Sequence, residues 1–242
     1  MIVMHDLVIV ATVVFCSVCQ SIIGVGLIMI GLPTLVLCGF AFEYALTICL
    51  PGSMLINTFQ VINQKGNYTR NDLSFYVVMA ILYIISLFVL NYYLGIGFSK
   101  LLAGSILLTT GLVGFDKNIR KRFLSFVGKN STKASLGIGV VHAISSLGGS
   151  LLSLTGSAKY EKGGDARRFI AGGYLTLEVI QLGYYIFKGV DFSQVGFSVL
   201  AGPIYYLSYR FITPYVSDGW LRNFIFGVIS LYGILLLIQS IR

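Results

Sequence analysis

Ser21-Ile-Ile-Gly-Val-Gly-Leu-Ile-Met-Ile-Gly-Leu-Pro33 decides how this chain is read. It lies inside an apolar run from Leu7 to Phe42, with three glycines and a proline where a membrane helix is expected to continue. Inside a helix Gly costs about 1 kcal/mol against Ala, and Pro about 3. The stretch therefore predicts a break over Ser21–Gly26. A second stretch repeats the device: Ser145-Ser-Leu-Gly-Gly-Ser-Leu-Leu-Ser-Leu-Thr-Gly156, in an apolar run that starts at Ala134, predicts a break over Leu147–Ser150. Laying Gly149 on Gly26 also lays Lys188-Gly189 on Lys65-Gly66. Paired glycine interruptions in two halves of a chain point to a transporter's binding site.

Composition sets the class. The 242 residues are 56% hydrophobic and 11% charged, with mean hydropathy +0.87. Soluble domains carry about 25% charged residues. The expectation is an all-α, polytopic helical bundle in the cell membrane, with no separate soluble domain. The net charge of +8 is not read as a nucleic-acid footprint, because Lys and Arg mark cytoplasmic loops in membrane proteins. No nucleic acid is expected as a partner, and membrane lipid is. Met1–Asp6 holds no Lys or Arg, so no secretory signal peptide is expected. Cys16, Cys19, Cys38 and Cys49 all sit in apolar segments and read as small packing residues. Neither a metal site nor a cofactor is expected.

The membrane elements read as Leu7–Phe42, Ala45–Ile62, Leu73–Tyr93, Gly97–Phe115, Ala134–Gly156, Phe169–Phe187, Val195–Phe211 and Leu221–Ile241. A span needs about 20 apolar residues, so Leu7–Phe42 is too long for one and short for two. The loop charges choose between topologies. If each broken element returns to the side it entered from, all of the 17 Lys and Arg except Lys100, Lys188 and Arg242 fall on one side. Single crossings divide them far more evenly. The positive-inside rule favours the first arrangement. Each half then has three full crossings plus one returning element, and the second half enters from the opposite side. The expected organisation is a first membrane repeat at 1–115, a basic cytoplasmic linker at 116–133 whose Lys117–Lys133 stretch is read as a solvated loop able to touch anionic lipid, and an inverted second repeat at 134–242.

These residues carry a family resemblance. The first copy, Ile23-Gly-Val-Gly-Leu-Ile-Met-Ile-Gly-Leu-Pro33, is followed by Gly39, Ala45 and Lys65-Gly-Asn. The second, Leu147-Gly-Gly-Ser-Leu-Leu, is followed by Gly164-Asp-Ala-Arg-Arg-Phe169 and Lys188-Gly-Val-Asp191. The pattern resembles the sulfite exporter TauE/SafE family of membrane anion transporters over nearly the whole chain. It departs from the family at Val25, and at Gly156, which stands where the first copy has Pro33. The resemblance implies transport of sulfite, thiosulfate or an organosulfonate.

An anion in the bilayer must exchange its hydration for protein donors. A helix N-terminus offers unpaired N–H groups and a positive dipole end. The second arm of each broken element is expected to start near Leu27 and near Ser150. Gly24, Gly26, Gly148 and Gly149 are read as letting the backbone turn and approach the anion, with Ser21, Ser145, Ser146 and Ser150 as hydroxyl donors. Close helix packing is the alternative use of such small residues. Polar stripes at helical spacing follow: Ser53, Asn57, Gln60 and Gln64, then Tyr174, Glu178, Gln181 and Tyr185. Asn57, Gln60 and Gln181 are candidate anion ligands. Interhelical hydrogen bonding would explain the stripes equally well. Glu178 is the one acid placed well inside a span, and such a residue marks a functional site by default. It is read as a coupling-proton carrier, with His142 as its partner or as an anion ligand. Arg167 and Arg168 are read as topology anchors.

No H-E-x-x-H and no G-x-S-x-G occurs, and His5 and His142 are the only histidines. An enzyme is not expected. A secondary transporter is, with an anion channel or a small-carboxylate transporter as the alternatives. Glycine and aromatic faces permit a homodimer.

Overall fold

The computed structural model describes residues 2–63, 68–93, 99–160, 163–215 and 218–241. Among these residues all regular structure is helical. α1 (Ile2–Ile23) runs into the first break, and α2 (Leu27–Leu37) leaves it. The first turn of α2, Leu27–Gly31, is π-helical. That widening ends two residues before Pro33, which lacks an N–H and whose ring crowds the carbonyl four residues back. α3 spans Phe42–Asn63, and α4 spans Arg70–Ser86 and continues as a π-helical stretch over Leu87–Tyr93. Thr69 caps α4 in a reciprocal box with Asp72. α5 (Lys100–Phe115) follows.

The segment expected as a solvated loop is a helix, α6 (Lys117–Lys129). Asp116 ends α5 and caps α6, accepting from the Asn118 and Ile119 amides at 2.7 and 2.8 Å. A carboxylate at that position satisfies orphan donors and complements the helix dipole. α7 (Ser131–Ser145) and α8 (Gly148–Lys159) flank the second break. α9 spans Gly163–Phe187. Val195–Phe211, expected as one helix, is a tight 3₁₀ stretch at Ser193–Leu200 joined to α10 (Ala201–Phe211). The tighter winding goes with packing: Ser198 Oγ donates to the Ile48 carbonyl of α3 at 2.6 Å. α11 (Asp218–Ile241) closes the bundle.

Among the described residues three helical segments, Met4–Ile22, Phe42–Asn63 and Arg70–Leu90, are long and apolar enough to cross a membrane. Leu27–Leu37, Lys100–Phe115 and Phe226–Ile241 are shorter apolar helices. The main packing pairs are α5 with α11, α4 with α7, α1 with α10, α3 with the Ser193–Leu200 stretch and with α9, and α8 with α9. Small residues hold the close crossings, as expected where van der Waals contact drives association. A Cβ on Gly104 would lie 2.9 Å from the Gly233 carbonyl, and one on Gly139 2.7 Å from the Met79 carbonyl.

Candidate functional site

α3 and α9 lie side by side, and their polar stripes meet. Ser53, Asn57 and Gln60 of α3 and Tyr174, Glu178 and Gln181 of α9 are each at most 2% exposed. The Asn57 amide donates to both Glu178 carboxyl oxygens, at 3.0 and 2.9 Å, and reaches Ser53 Oγ at 3.2 Å. Asn57 Oδ1 accepts from Gln20 Nε2 at 3.1 Å. Gln20 Oε1 accepts from the Leu27 amide at 3.1 Å. Gln60 Nε2 donates to the Gln20 carbonyl at 3.1 Å, while its Oε1 has no partner. One hydrogen-bonded path thus runs from the Glu178 carboxyl to the first amide of α2. Gln64, the last member of the α3 stripe, lies outside the described residues.

A second path serves the second break. Gln181 Nε2 donates to Ser146 Oγ at 2.6 Å, which leaves Gln181 Oε1 to accept from His142 Nε2 at 3.3 Å. The hydrogen then sits on Nε2, and His142 Nδ1 is buried without a partner. The ring stands edge-on to Tyr83 with centroids 4.9 Å apart. His142 therefore pairs with Gln181, and Glu178 pairs with Asn57.

The two breaks are built differently. Gly24 has φ +91°, a left-handed conformation that suits Gly. Gly26 touches α1 so closely that a Cβ there would run into the Cys16 carbonyl, with Gln20 Cβ 2.8 Å away. At the second break Ser146, not a glycine, takes the left-handed conformation with φ 57°. Gly148 faces the Ile138 carbonyl, which would lie 2.6 Å from a Cβ, and Gly149 carries the ring of Tyr174 directly on its backbone. α8 touches the Leu27–Gly31 turn of α2, so the two second arms meet.

The serines bond mostly to backbone. Ser21 donates to the Val18 carbonyl at 2.7 Å and lies 3.4 Å from Thr213 Oγ1. Ser145 donates to the Val141 carbonyl at 2.7 Å and accepts from the Leu147 amide at 3.1 Å. Ser150 donates to the Leu147 carbonyl at 2.8 Å and lies 3.2 Å from Thr110 Oγ1.

Three features escaped the sequence reading. Gln20 joins both halves of the first path; its signal was being the one amide side chain between Leu7 and Phe42. Arg167, expected as a topology anchor, lays its stem on Gly24, where a Cβ would meet Arg167 Cγ at 3.1 Å, and its Nη1 lies 3.4 Å from the Ile22 carbonyl. Its neighbour Arg168 is 6% exposed and pairs with Asp165 at 3.2 Å. The third is a clasp at the far end of α8. Asp72 accepts from Lys159 Nζ at 2.7 Å and from the Tyr160 hydroxyl at 2.6 Å. Burial and the Asp72 hydrogen bond push the Tyr160 phenol up to about 12, so it stays a donor. Sequence gives no signal for this clasp, since its members lie in different halves of the chain.

No known family model, no curated protein and no solved structure matches the chain.

Proposed function

We propose that the chain is a secondary transporter that carries a small sulfur-containing anion, such as sulfite, thiosulfate or an organosulfonate, across the cell membrane. The observation that carries this reading is the meeting of two interrupted helices beside a buried polar seam. Each second arm starts with amides that have no partner within the helix and carries a positive dipole end, and α8 touches the first turn of α2. Arg167 adds a planar cation at the first break, suited to the paired oxygens of a sulfonate. The resemblance to the sulfite exporter family supports the substrate class.

An inverted repeat fits the packing. With Gly149 laid on Gly26, α7 to α11 shadow α1 to α5, leaving α6 as the linker. The contacts pair off under the same shift: α1 with α10 answers α7 with α4, while α3 with α9 and α5 with α11 answer themselves. A two-fold relation between the halves accounts for that pattern. Glu178, midway along α9 and bonded to the other half through Asn57, is the group to take up and release a coupling proton.

The test is binding of sulfite, thiosulfate, taurine, isethionate and sulfoacetate to purified protein, with a carboxylate control, by thermal shift and calorimetry. Flux into proteoliposomes follows. Saturable flux of one sulfur anion, weakened at least tenfold by Arg167→Gln, is the expected result; a tenfold loss corresponds to about 1.4 kcal/mol. A response to the carboxylate alone overturns the substrate class. Flux of none of them overturns the transporter.

A further inference from the structure

α6 seats only part of its surface on the bundle. At 3.6 residues per turn, Ile119, Phe123, Phe126 and Val127 share one side of the helix, and Lys121, Arg122, Ser125 and Lys129 share the other. Val127 is buried where α6 meets α7 and α8. Ile119 and Phe126 remain 47% and 48% exposed, and Lys121, Arg122 and Lys129 are exposed. The one acid next to the helix, Asp116, is used as its cap. α6 is also tethered at both ends. It shares Asp116 with α5, and only Asn130 separates it from α7. Beside Val127 a groove of about 460 Å³ opens toward α4, lined by Asn71, Ser74, Ser131, Thr132 and Lys159.

We propose that α6 is an interfacial helix that holds anionic phospholipid headgroups. The inference rests on the reading of the bundle as membrane-spanning. An apolar edge and a cationic edge on one surface helix match the boundary between acyl chains and headgroups. Ile119 and Phe126 enter the upper acyl region, and Lys121, Arg122 and Lys129 meet the phosphates. The groove, whose polar groups stand beside Phe75 and Val78, receives a headgroup on the bundle side. The occupant is anionic lipid because the exposed charge is of one sign and the uncovered apolar residues lie on the adjacent face of the same helix.

The test uses the full chain, stripped of lipid in detergent, with phosphatidylglycerol, phosphatidylcholine or inorganic phosphate added. Phosphatidylglycerol is expected to raise the Tm and phosphatidylcholine is not. Replacing Lys121, Arg122 and Lys129 together by Gln removes this preference. The expected loss is about fivefold per cation near the surface, or roughly 100-fold for the three. A Phe126→Trp reporter in a Trp220→Phe background, in vesicles of equal phosphatidylcholine and phosphatidylglycerol, is expected to be quenched by lipids brominated high on the acyl chain. Equal stabilisation by both lipids, a full phosphatidylglycerol shift in the triple variant, or an unquenched reporter overturns the proposal. A shift reproduced by phosphate alone overturns it in favour of a free-anion site. Alkaline carbonate separates the two levels. A chain washed from the vesicles overturns the membrane reading and this proposal together; a chain retained without the lipid effect overturns this proposal alone.

Discussion

The two helix breaks do the same job with different chemistry. At the first, Gly24 takes the left-handed turn and Gly26 lies against the backbone of α1. Gln20, one turn before the break, then caps Leu27. At the second, Ser146 takes the left-handed turn, Gln181 holds its hydroxyl, and Tyr174 closes over Gly149. Both breaks thus set a glycine against the backbone of the preceding helix, Gly26 on the Cys16 carbonyl and Gly148 on the Ile138 carbonyl; from α9 the first receives the stem of Arg167 on Gly24, and the second the ring of Tyr174 on Gly149 and the amide of Gln181 on Ser146. A backbone obstacle cannot rotate away, whereas a side chain has other rotamers. The backbone contacts of Gly26 and Gly148 should be the rigid ones, and the Tyr174 contact on Gly149 the adjustable one.

The largest expected effect comes from glycine replacement. Gly26→Ala should destabilise the fold by more than about 3 kcal/mol, because its Cβ meets a carbonyl in a packed interior. Gly149→Ala should cost about 1–3 kcal/mol, the usual range for overpacking. Tyr174→Leu should recover part of the Gly149→Ala loss, and no side-chain change should recover Gly26→Ala. Denaturation midpoints of the three variants and the double mutant decide this; equal, unrescued losses would erase the distinction between a backbone and a side-chain contact.

Next come the polar paths. Gln20→Leu strands the Leu27 amide and Asn57 Oδ1, and Gln181→Leu strands His142 and Ser146. Each should cost about 1–3 kcal/mol for the buried groups left unpaired. If flux depends on motion at the second break, Gln181→Leu should change turnover and Gln20→Leu chiefly stability. Proteoliposome flux compared with thermal midpoints makes that split visible.

Glu178→Gln is expected to keep the fold to within about 1 kcal/mol, since Gln Oε1 still accepts from Asn57. Its flux should lose pH dependence. Undiminished pH dependence would remove Glu178 from any proton step.

Ser146→Gly should have the smallest effect. It relieves a left-handed residue, a gain of about 1 kcal/mol, and deletes the acceptor of Gln181, a loss of similar size. A net change within about 1 kcal/mol is expected in the denaturation midpoint.

That each apolar run is interrupted was legible from its glycines, but the second break falls at Ser146–Leu147 rather than over Leu147–Ser150, with Gly148 and Gly149 in the first turn of α8, because Ser146 takes the left-handed turn. The stripes on α3 and α9 were legible too, since helical spacing alone puts Asn57 with Gln60 and Glu178 with Gln181 on one face. The helical class follows from the scarcity of charge and the length of the apolar runs. α6 was misread as loop because its Lys and Arg were counted as topology signals, although Asp116 and the spacing of Ile119, Phe123 and Phe126 marked a capped amphipathic helix. Partnership was beyond local reading. That Glu178 bonds Asn57 and His142 bonds Gln181, that Arg167 lies on Gly24, and that Asp72 clasps Lys159 all join residues far apart in the chain. Hydrogen-bond partners follow from distance in space, and helix crossings set that distance. The sequence by itself determined that the two long apolar runs are interrupted and which faces of α3 and α9 are polar, because both are properties of neighbouring residues. Only the tertiary structure decided which polar face met which, because that depends on how the glycine-lined crossings pack.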